Sequence, residues 1–242
     1  MSYKDKAGEH TAFARLFYSG NTDPLTRTYI NKPKILNPAR LELHERDVTA
    51  ERAAEGFPPN AHGLTYDGYK SIHHHLFQDI YSWAGKERLY TPEKGGTVFT
   101  RVEVLKPYME SIFKSLKAEN HLEGLSKERF AERAAHFVNN INAGHPFVDG
   151  NGRTQRAWLR LMADRAGFQF ELRSADKDDW QRASFIGFHR TDQPMTELIA
   201  ARLYDRGKGK SQDSPELQQK AKRAAERFAL SKDAGKDPER ER

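Results

Sequence analysis

The chain contains no cysteine, which excludes disulfides and thiolate metal sites. A reducing cytoplasm is then the default compartment, although a chain free of disulfides also suits unfolded passage through a secretion machine. Long hydrophobic runs are missing too. No stretch approaches the roughly 20 apolar residues that a membrane span needs, so no membrane association is expected. The opening "MSYKDKAGEH" has no apolar run behind its lysines and does not read as a secretory signal. No internal repeat is present.

At 242 residues the chain is long enough for one fair-sized domain or two small ones. Hydrophobic residues make up 37% and charged residues 31%, which supplies a core under a very polar surface. The net charge of +6 and pI near 9.4 invite a nucleic-acid reading. Much of the basic excess lies near the C-terminus, in "KGKSQDS" and "QQKAKRAAER", with no aromatic residues interleaved for base stacking. A solvated basic surface accounts for it better, and a nucleic-acid partner is not expected.

The segment "FYSGNTDPLTRTYINKPKILNP" is rich in Pro, Asn and Thr and reads as irregular structure with short turns. "NPARLELHERDVTAERAAEG" then reads as a helix stopped by Gly56 and Pro58. A second helix is expected from Thr65 or Asp67 to Trp83, because Tyr69, Ile72, Leu76, Ile80 and Trp83 recur at helical spacing. His73, His74 and His75 lie on it about 100° apart, so they cannot converge on one metal and are read as surface or packing residues. Two extended runs flank "EKGG", a hairpin turn. A third helix fits "EVLKPYMESIFKSLKAEN", with Pro107 confined to the first turn or a kink. Ser126 caps a fourth, whose stripe is Phe130, Ala134, Phe137, Val138 and Ile141. "TQRAWLRLMADRAG" forms a fifth, capped by Gly167. Two shorter helices follow around "DKDDWQRASFIGFHR" and "PMTELIAARLYDRG". Beyond Gly207 the chain reads as a polar tail with one marginal helix. The predicted fold class is mainly α, with a single hairpin.

Between the fourth and fifth helices lies "HPFVDGNGRTQR", His145 to Arg156. Gly150, Asn151 and Gly152 allow the backbone to aim successive N–H groups into one concavity. That concavity leads into a helix start, itself favourable to phosphate. Arg153 and Arg156 are three apart on that helix and reach a common polyphosphate. Asp149 offers the single carboxylate that a phosphate-bridging Mg²⁺ commonly takes. Histidine is the natural general base for a hydroxyl, the role open to His145, and Phe147 plugs the turn into the core. Positioning and charge stabilisation are what phosphoryl-type transfer chiefly requires.

This stretch resembles the signature of the Fic domain, His-x-Phe-x-Asp/Glu-Gly-Asn-Gly-Arg-x-x-Arg, at every defined position. "DIYSWAGKER", Asp79 to Arg88, is similar to a second family segment and precedes the hairpin where such proteins carry a flap. The resemblance covers roughly Asp23 to Tyr204. It implies a Fic-type helical domain over residues 10–206, with 207–242 as tail or linker. The implied activity moves AMP from ATP, with Mg²⁺, to a Ser, Thr or Tyr hydroxyl of a target protein. In that family's terms His145 would be the general base and Asp149 the metal ligand. Gly150, Asn151 and Gly152 would cradle the phosphates, while Arg153 and Arg156 orient the β- and γ-phosphates. The flap, about Lys94 to Arg101, would hold the target by strand addition. Thr97, Val98 and Phe99 would line the nucleotide and target cleft.

Gly152 favours AMP transfer, since kinase-like relatives carry a lysine there; another nucleotide or a phosphodiester donor remains compatible with the motif. Many relatives carry an inhibitory helix, Ser/Thr-x-x-x-Glu-Gly/Asn. The formal match "SLKAEN", Ser115 to Asn120, falls within the core and is read as coincidental. A separate antitoxin-like inhibitor, or an unrestrained effector delivered into another cell, is then implied. Two other readings are a basic module gripping nucleic-acid phosphates and a non-catalytic Fic scaffold. The intact His145, Asp149 and Arg153 argue against the scaffold.

Overall fold

The computed structural model describes residues 20–94 and 97–206. The segment before Gly20, the two glycines of the predicted hairpin turn and the tail from Gly207 lie outside the described residues. From Gly20 to Asn37 the chain is irregular, held by local polar bonds. Thr22 and Tyr29 form an isolated bridge. The Asn31 amide donates to the Tyr29 and Ile35 carbonyls and accepts from the Ile35 N–H.

The α1 helix spans Pro38–Ala54, with Pro38 at its first position and the Asn37 side chain accepting from the Arg40 N–H. This is the arrangement expected where a proline cannot donate and an Asx side chain caps. A short 3₁₀ turn, Pro59–Gly63, leads to α2, Tyr66–Phe77, capped by Thr65. The apolar period does run on to Trp83, but the helix stops at Phe77. Ile80, Tyr81 and Trp83 remain buried on successive turns instead. The turns return at Gly85, whose positive φ and close approach to the His74 Cβ leave no room for a side chain.

A hairpin of β1, Glu93–Lys94, and β2, Thr97–Val98, follows. Next come α3, Val102–Ala118, and α4, Lys127–Gly144, the latter capped by Ser126. Pro107 is the sixth residue of α3, beyond the first turn, so the Glu103 carbonyl loses its helical donor there. The α5 helix, Asn151–Arg165, ends ahead of Gly167, which takes a left-handed φ. Strand β3, Phe168–Phe170, is followed by α6, Lys177–His189, α7, Gln193–Ala201, and β4, Leu203–Asp205. Strands β3 and β4 pair antiparallel with Phe170 opposite Leu203. This second small sheet is an addition to the hairpin that the sequence suggested.

The packing is built around α4. Its buried stripe of Phe130, Ala134, Phe137, Val138 and Ile141 faces the neighbouring helices. On the other side Trp158 of α5, Tyr69 of α2 and Phe113 of α3 form one aromatic cluster. Fully burying each such ring contributes about 1.5–3 kcal/mol. The consequence for the site is mechanical: the link between α4 and α5 is anchored at both ends in this core.

Candidate functional site

The link begins at His145, the C-cap of α4, in a left-handed conformation (φ 45°, ψ 59°). A non-glycine residue there is disfavoured by about 1–2 kcal/mol, so neighbouring contacts must hold it. Its N–H bonds the Ile141 carbonyl at 3.0 Å, and its own carbonyl accepts from the Arg88 Nε at 2.7 Å. The half-buried imidazole lies against the Phe99 ring, centroids 4.2 Å apart.

Two residues later Phe147 enters the core fully buried. It stacks on Tyr69 at 5.7 Å and on His73 at 3.8 Å. Asn151 closes the turn by a reciprocal pair: its Oδ1 accepts from the Phe147 N–H at 3.0 Å and its Nδ2 donates to the Phe147 carbonyl at 2.9 Å. The Asn151 side chain therefore shapes the turn and leaves its backbone N–H at the helix start. Of the three residues Gly150, Asn151 and Gly152, only Gly150 takes a left-handed φ (79°), while the other two are helical. The concavity is thus a single left-handed residue leading into a helix. A Cβ on Gly150 would stand 2.3 Å from the Phe77 ring.

His73 is the hidden support of this turn. Its Nδ1 accepts from the Gly85 N–H at 2.7 Å, so its Nε2–H donates to the Asp149 carbonyl at 3.0 Å. Burial pushes its pKa down to about 3. The ring is neutral and fixed in one tautomer, and it belongs to the packing class read from the sequence. His74 is exposed, while His75 bonds the Arg52 carbonyl at 2.7 Å. Among the described residues no group of three His, Cys, Asp or Glu gathers as a metal cluster.

Asp149 is half-buried. Its Oδ1 accepts from the Gly150 N–H at 2.5 Å, and its carboxylate also accepts from the Tyr29 hydroxyl. Burial first, then the Asp149 charge, lift the Tyr29 phenol well above its ordinary range. Arg153 turns toward α1, pairing with Glu45 and lying over the Phe77 ring at 4.7 Å. Glu45 also accepts from the Tyr81 hydroxyl.

Arg156 is placed differently. Among the described residues it meets no carboxylate. Burial lowers its pKa, and the charges nearest it are Arg153 and Arg160, both of the same sign. Its Nη1 lies 3.3 Å from where a Gly152 Cβ would stand, folded back over the first turn of α5. No side chain caps that helix start. Free amides and an uncompensated guanidinium therefore share one concavity, an arrangement that selects an anion.

The hairpin residues divide. Phe99 is brought against His145, its ring also meeting Phe188 of α6 at 5.7 Å. Val98 is 54% exposed and lines a separate groove of about 620 Å³ with Tyr90, Glu93, Arg101 and Val104. The strand alternates faces, so adjacent residues cannot both look at the imidazole. Of Thr97 only the backbone is described. Glu119 of the "SLKAEN" match is engaged by Arg133 through two bonds of 2.8 and 2.6 Å.

Sequence reasoning missed Tyr29, Glu45, Tyr81 and Arg88. One signal was available for Glu45: Leu41, Glu45 and Thr49 recur every four residues, and all three are buried on one face of α1.

Comparison with known proteins gives a consistent result. Residues 63–163 match the Fic/DOC family. The chain is 34% identical over 183 residues to the protein adenylyltransferase VbhT of Bartonella schoenbuchensis, covering 75% of this chain and 38% of VbhT. It is 35% identical over 159 residues to the probable protein adenylyltransferase y4lH of Sinorhizobium fredii, covering 64% of this chain and 82% of that protein. Among solved structures, BepC, a translocated effector of Bartonella tribocorum with bound AMPPNP, superposes with a TM-score of 0.72 at 24% identity. That match covers 77% of this chain and 97% of the other.

Proposed function

The chain belongs to the Fic/DOC family, and from that membership together with the geometry of the His145–Arg156 turn we propose that it is a protein adenylyltransferase, moving AMP from ATP to a Ser, Thr or Tyr hydroxyl. One observation carries the reading beyond membership. Arg156, half-buried and without an anionic partner among the described residues, lies over an uncapped helix start, while the imidazole of His145 stands at the opposite end of the same turn. A triphosphate answers the first feature and a hydroxyl the second.

The residues then act as follows. Backbone amides of Gly150, Asn151 and Gly152 and the guanidinium of Arg156 hold the β- and γ-phosphates. Arg153, already paired with Glu45, presents its remaining N–H groups to the same polyphosphate. The imidazole of His145 takes the proton of the target hydroxyl as its oxygen bonds the α-phosphorus. The bond between the α-phosphorus and the α–β bridging oxygen breaks, and pyrophosphate leaves. The donor set fits Mg²⁺: Asp149 supplies one carboxylate, held by the Gly150 N–H and the Tyr29 hydroxyl, and phosphate oxygens complete such sites. Bound there, the ion would neutralise phosphate charge.

The β1–β2 hairpin, about Lys94 to Arg101, serves as the flap that takes a target segment by strand addition, with Phe99 closing over the imidazole and Val98 facing outward. A separate antitoxin-like inhibitor would place a carboxylate on Arg156, since Glu119 is engaged elsewhere. The Fic domain takes in residues 10–206, with 207–242 as tail or linker. Among the described residues no helix is long and apolar enough to cross a membrane; the working location is the cytoplasm or a cell into which the protein is delivered.

The test is transfer of label from α-labelled ATP with Mg²⁺ to the chain itself and to proteins of bacterial and eukaryotic lysates. His145→Ala should reduce transfer by about 10²–10⁴-fold, the usual size of a general-base contribution, while ATP affinity changes little. Absence of labelling by the wild type, or full labelling by the variant, sinks the reading.

A further inference from the structure

Arg88 is 1% exposed, yet among the described residues none of its hydrogen bonds goes to a carboxylate. Its Nε donates to the His145 carbonyl at 2.7 Å and its Nη2 to the Gly144 carbonyl at 2.9 Å. The same guanidinium donates through Nη1 to the Tyr90 carbonyl and through Nη2 to the Thr100 carbonyl, both at 2.5 Å. Its backbone N–H bonds the Pro146 carbonyl at 2.9 Å. Gly144 and His145 end α4, where carbonyls lack helical donors and the dipole is negative. Tyr90 and Thr100 are the stems on either side of the β1–β2 hairpin.

Capping a helix end needs one or two donors and can be done by many residues. Joining a helix end to both stems of a hairpin needs donors spread in a plane, which only a guanidinium offers. Thr100 reinforces the junction, its N–H and Oγ1 both donating to the Ala143 carbonyl, at 3.0 and 2.9 Å. The hairpin cannot lift without stripping a buried cation of its acceptors, which is costly in a dry site. The same bond to the His145 carbonyl also braces the left-handed residue that aims the imidazole.

We propose that Arg88 is a positioning residue for AMP transfer, locking the flap to the end of α4 so that a target hydroxyl held by the flap is delivered at a fixed distance from His145. The inference rests on the adenylyltransferase reading and deepens it. Misplacing a nucleophile by about 1 Å can cost on the order of 100-fold in rate. None of the acceptors of Arg88 lies between Gly150 and Arg156, so nucleotide binding is left alone.

The experiment compares the full-length wild type with Arg88→Lys, which keeps the charge but cannot span four acceptors. Self-labelling from α-labelled ATP at saturating nucleotide, ATP affinity by calorimetry, and hydrogen exchange over residues 89–101 and 151–165 are measured together. The expected result is transfer reduced at least about tenfold, ATP affinity within about twofold, and faster exchange confined to the flap. Transfer at the wild-type rate overturns the proposal. So does a parallel loss of transfer and ATP affinity, which would make Arg88 a general support of the fold. If Arg88→Lys does not fold, Thr100→Val decides, with the same split expected at smaller size and unchanged transfer counting against it. A wild type that never labels removes the functional reading and this inference with it; a labelling wild type beside an unaffected Arg88→Lys removes this inference alone.

Discussion

Acidifying the ligand-free chain from about pH 7.5 to about pH 5 should cost about 2 kcal/mol of folding stability through His73 alone. The folded imidazole is held near pKa 3 by burial, against 6.5 when unfolded. Because the folded value is the lower one, the contribution is fully present above the unfolded pKa. It falls as pH drops through 6.5 toward 3, where protons bind the unfolded chain and not the native one. At about pH 5 the unfolded imidazole is almost wholly protonated and the folded one almost wholly neutral, so the loss is set by the distance below 6.5, roughly 1.5 units at 1.4 kcal/mol each. The assay is urea unfolding at the two pH values in chelator, for the wild type and His73→Gln. Carboxylates shared by both proteins cancel in the comparison. The variant starts less stable, having lost the contact to the Gly85 N–H, but its further loss on acidification should be smaller by about 2 kcal/mol. Equal losses in the two proteins would refute the claim that a neutral, buried His73 holds the Asp149 carbonyl.

Gly150→Ala should destabilise by about 2–4 kcal/mol, combining a left-handed alanine with a Cβ 2.3 Å from the Phe77 ring; thermal unfolding measures it, and ATP affinity should fall with it. Arg156→Met should leave the ligand-free chain as stable as the wild type or about 1 kcal/mol more so, because it removes a half-buried cation that has no carboxylate partner among the described residues, while calorimetry should show ATP affinity weakened at least about tenfold. A variant destabilised beyond that would mean that Arg156 has a native partner. Glu119→Gly should change self-labelling by less than about twofold and stability by no more than about 1 kcal/mol, its pair with Arg133 being partly solvated; a large gain in labelling would make the "SLKAEN" glutamate a restraint after all.

The site turn was legible because its chemistry is local: twelve consecutive residues hold the imidazole, the carboxylate, the glycines and both arginines. Helix starts were legible for the same reason, since Asn37, Thr65 and Ser126 cap residues only three positions on. The supports of the turn come from far away in the chain, and no spacing rule announces them. Arg88 reaches the end of α4 across more than fifty positions, and Glu45 reaches Arg153 across about a hundred. His73 was placed in the right class without its task being visible, because packing against Phe147 and bonding to Asp149 are both tertiary facts. The β3–β4 sheet escaped for a different reason. Three-residue strands carry no readable alternation, and their pairing depends on α6 and α7 folding between them.

The two motif arginines look equivalent in sequence, yet the fold gives them different electrostatic roles. Arg153 has a resident counter-charge in Glu45, itself steadied by the Tyr81 hydroxyl, so much of its charge is neutralised before any ligand arrives. Arg156 has none among the described residues and sits desolvated beside two other cations. A desolvated charge awaiting a partner raises the free energy of the empty site and deepens the gain when an anion enters. Arg153 thereby tethers α5 to α1; under the proposed function the affinity for a terminal phosphate would concentrate on Arg156. Under the proposed function, whatever carboxylate a regulator brought to Arg156 would relieve the same desolvation that a bound nucleotide would. The two would exclude one another at a single guanidinium without any change in the fold.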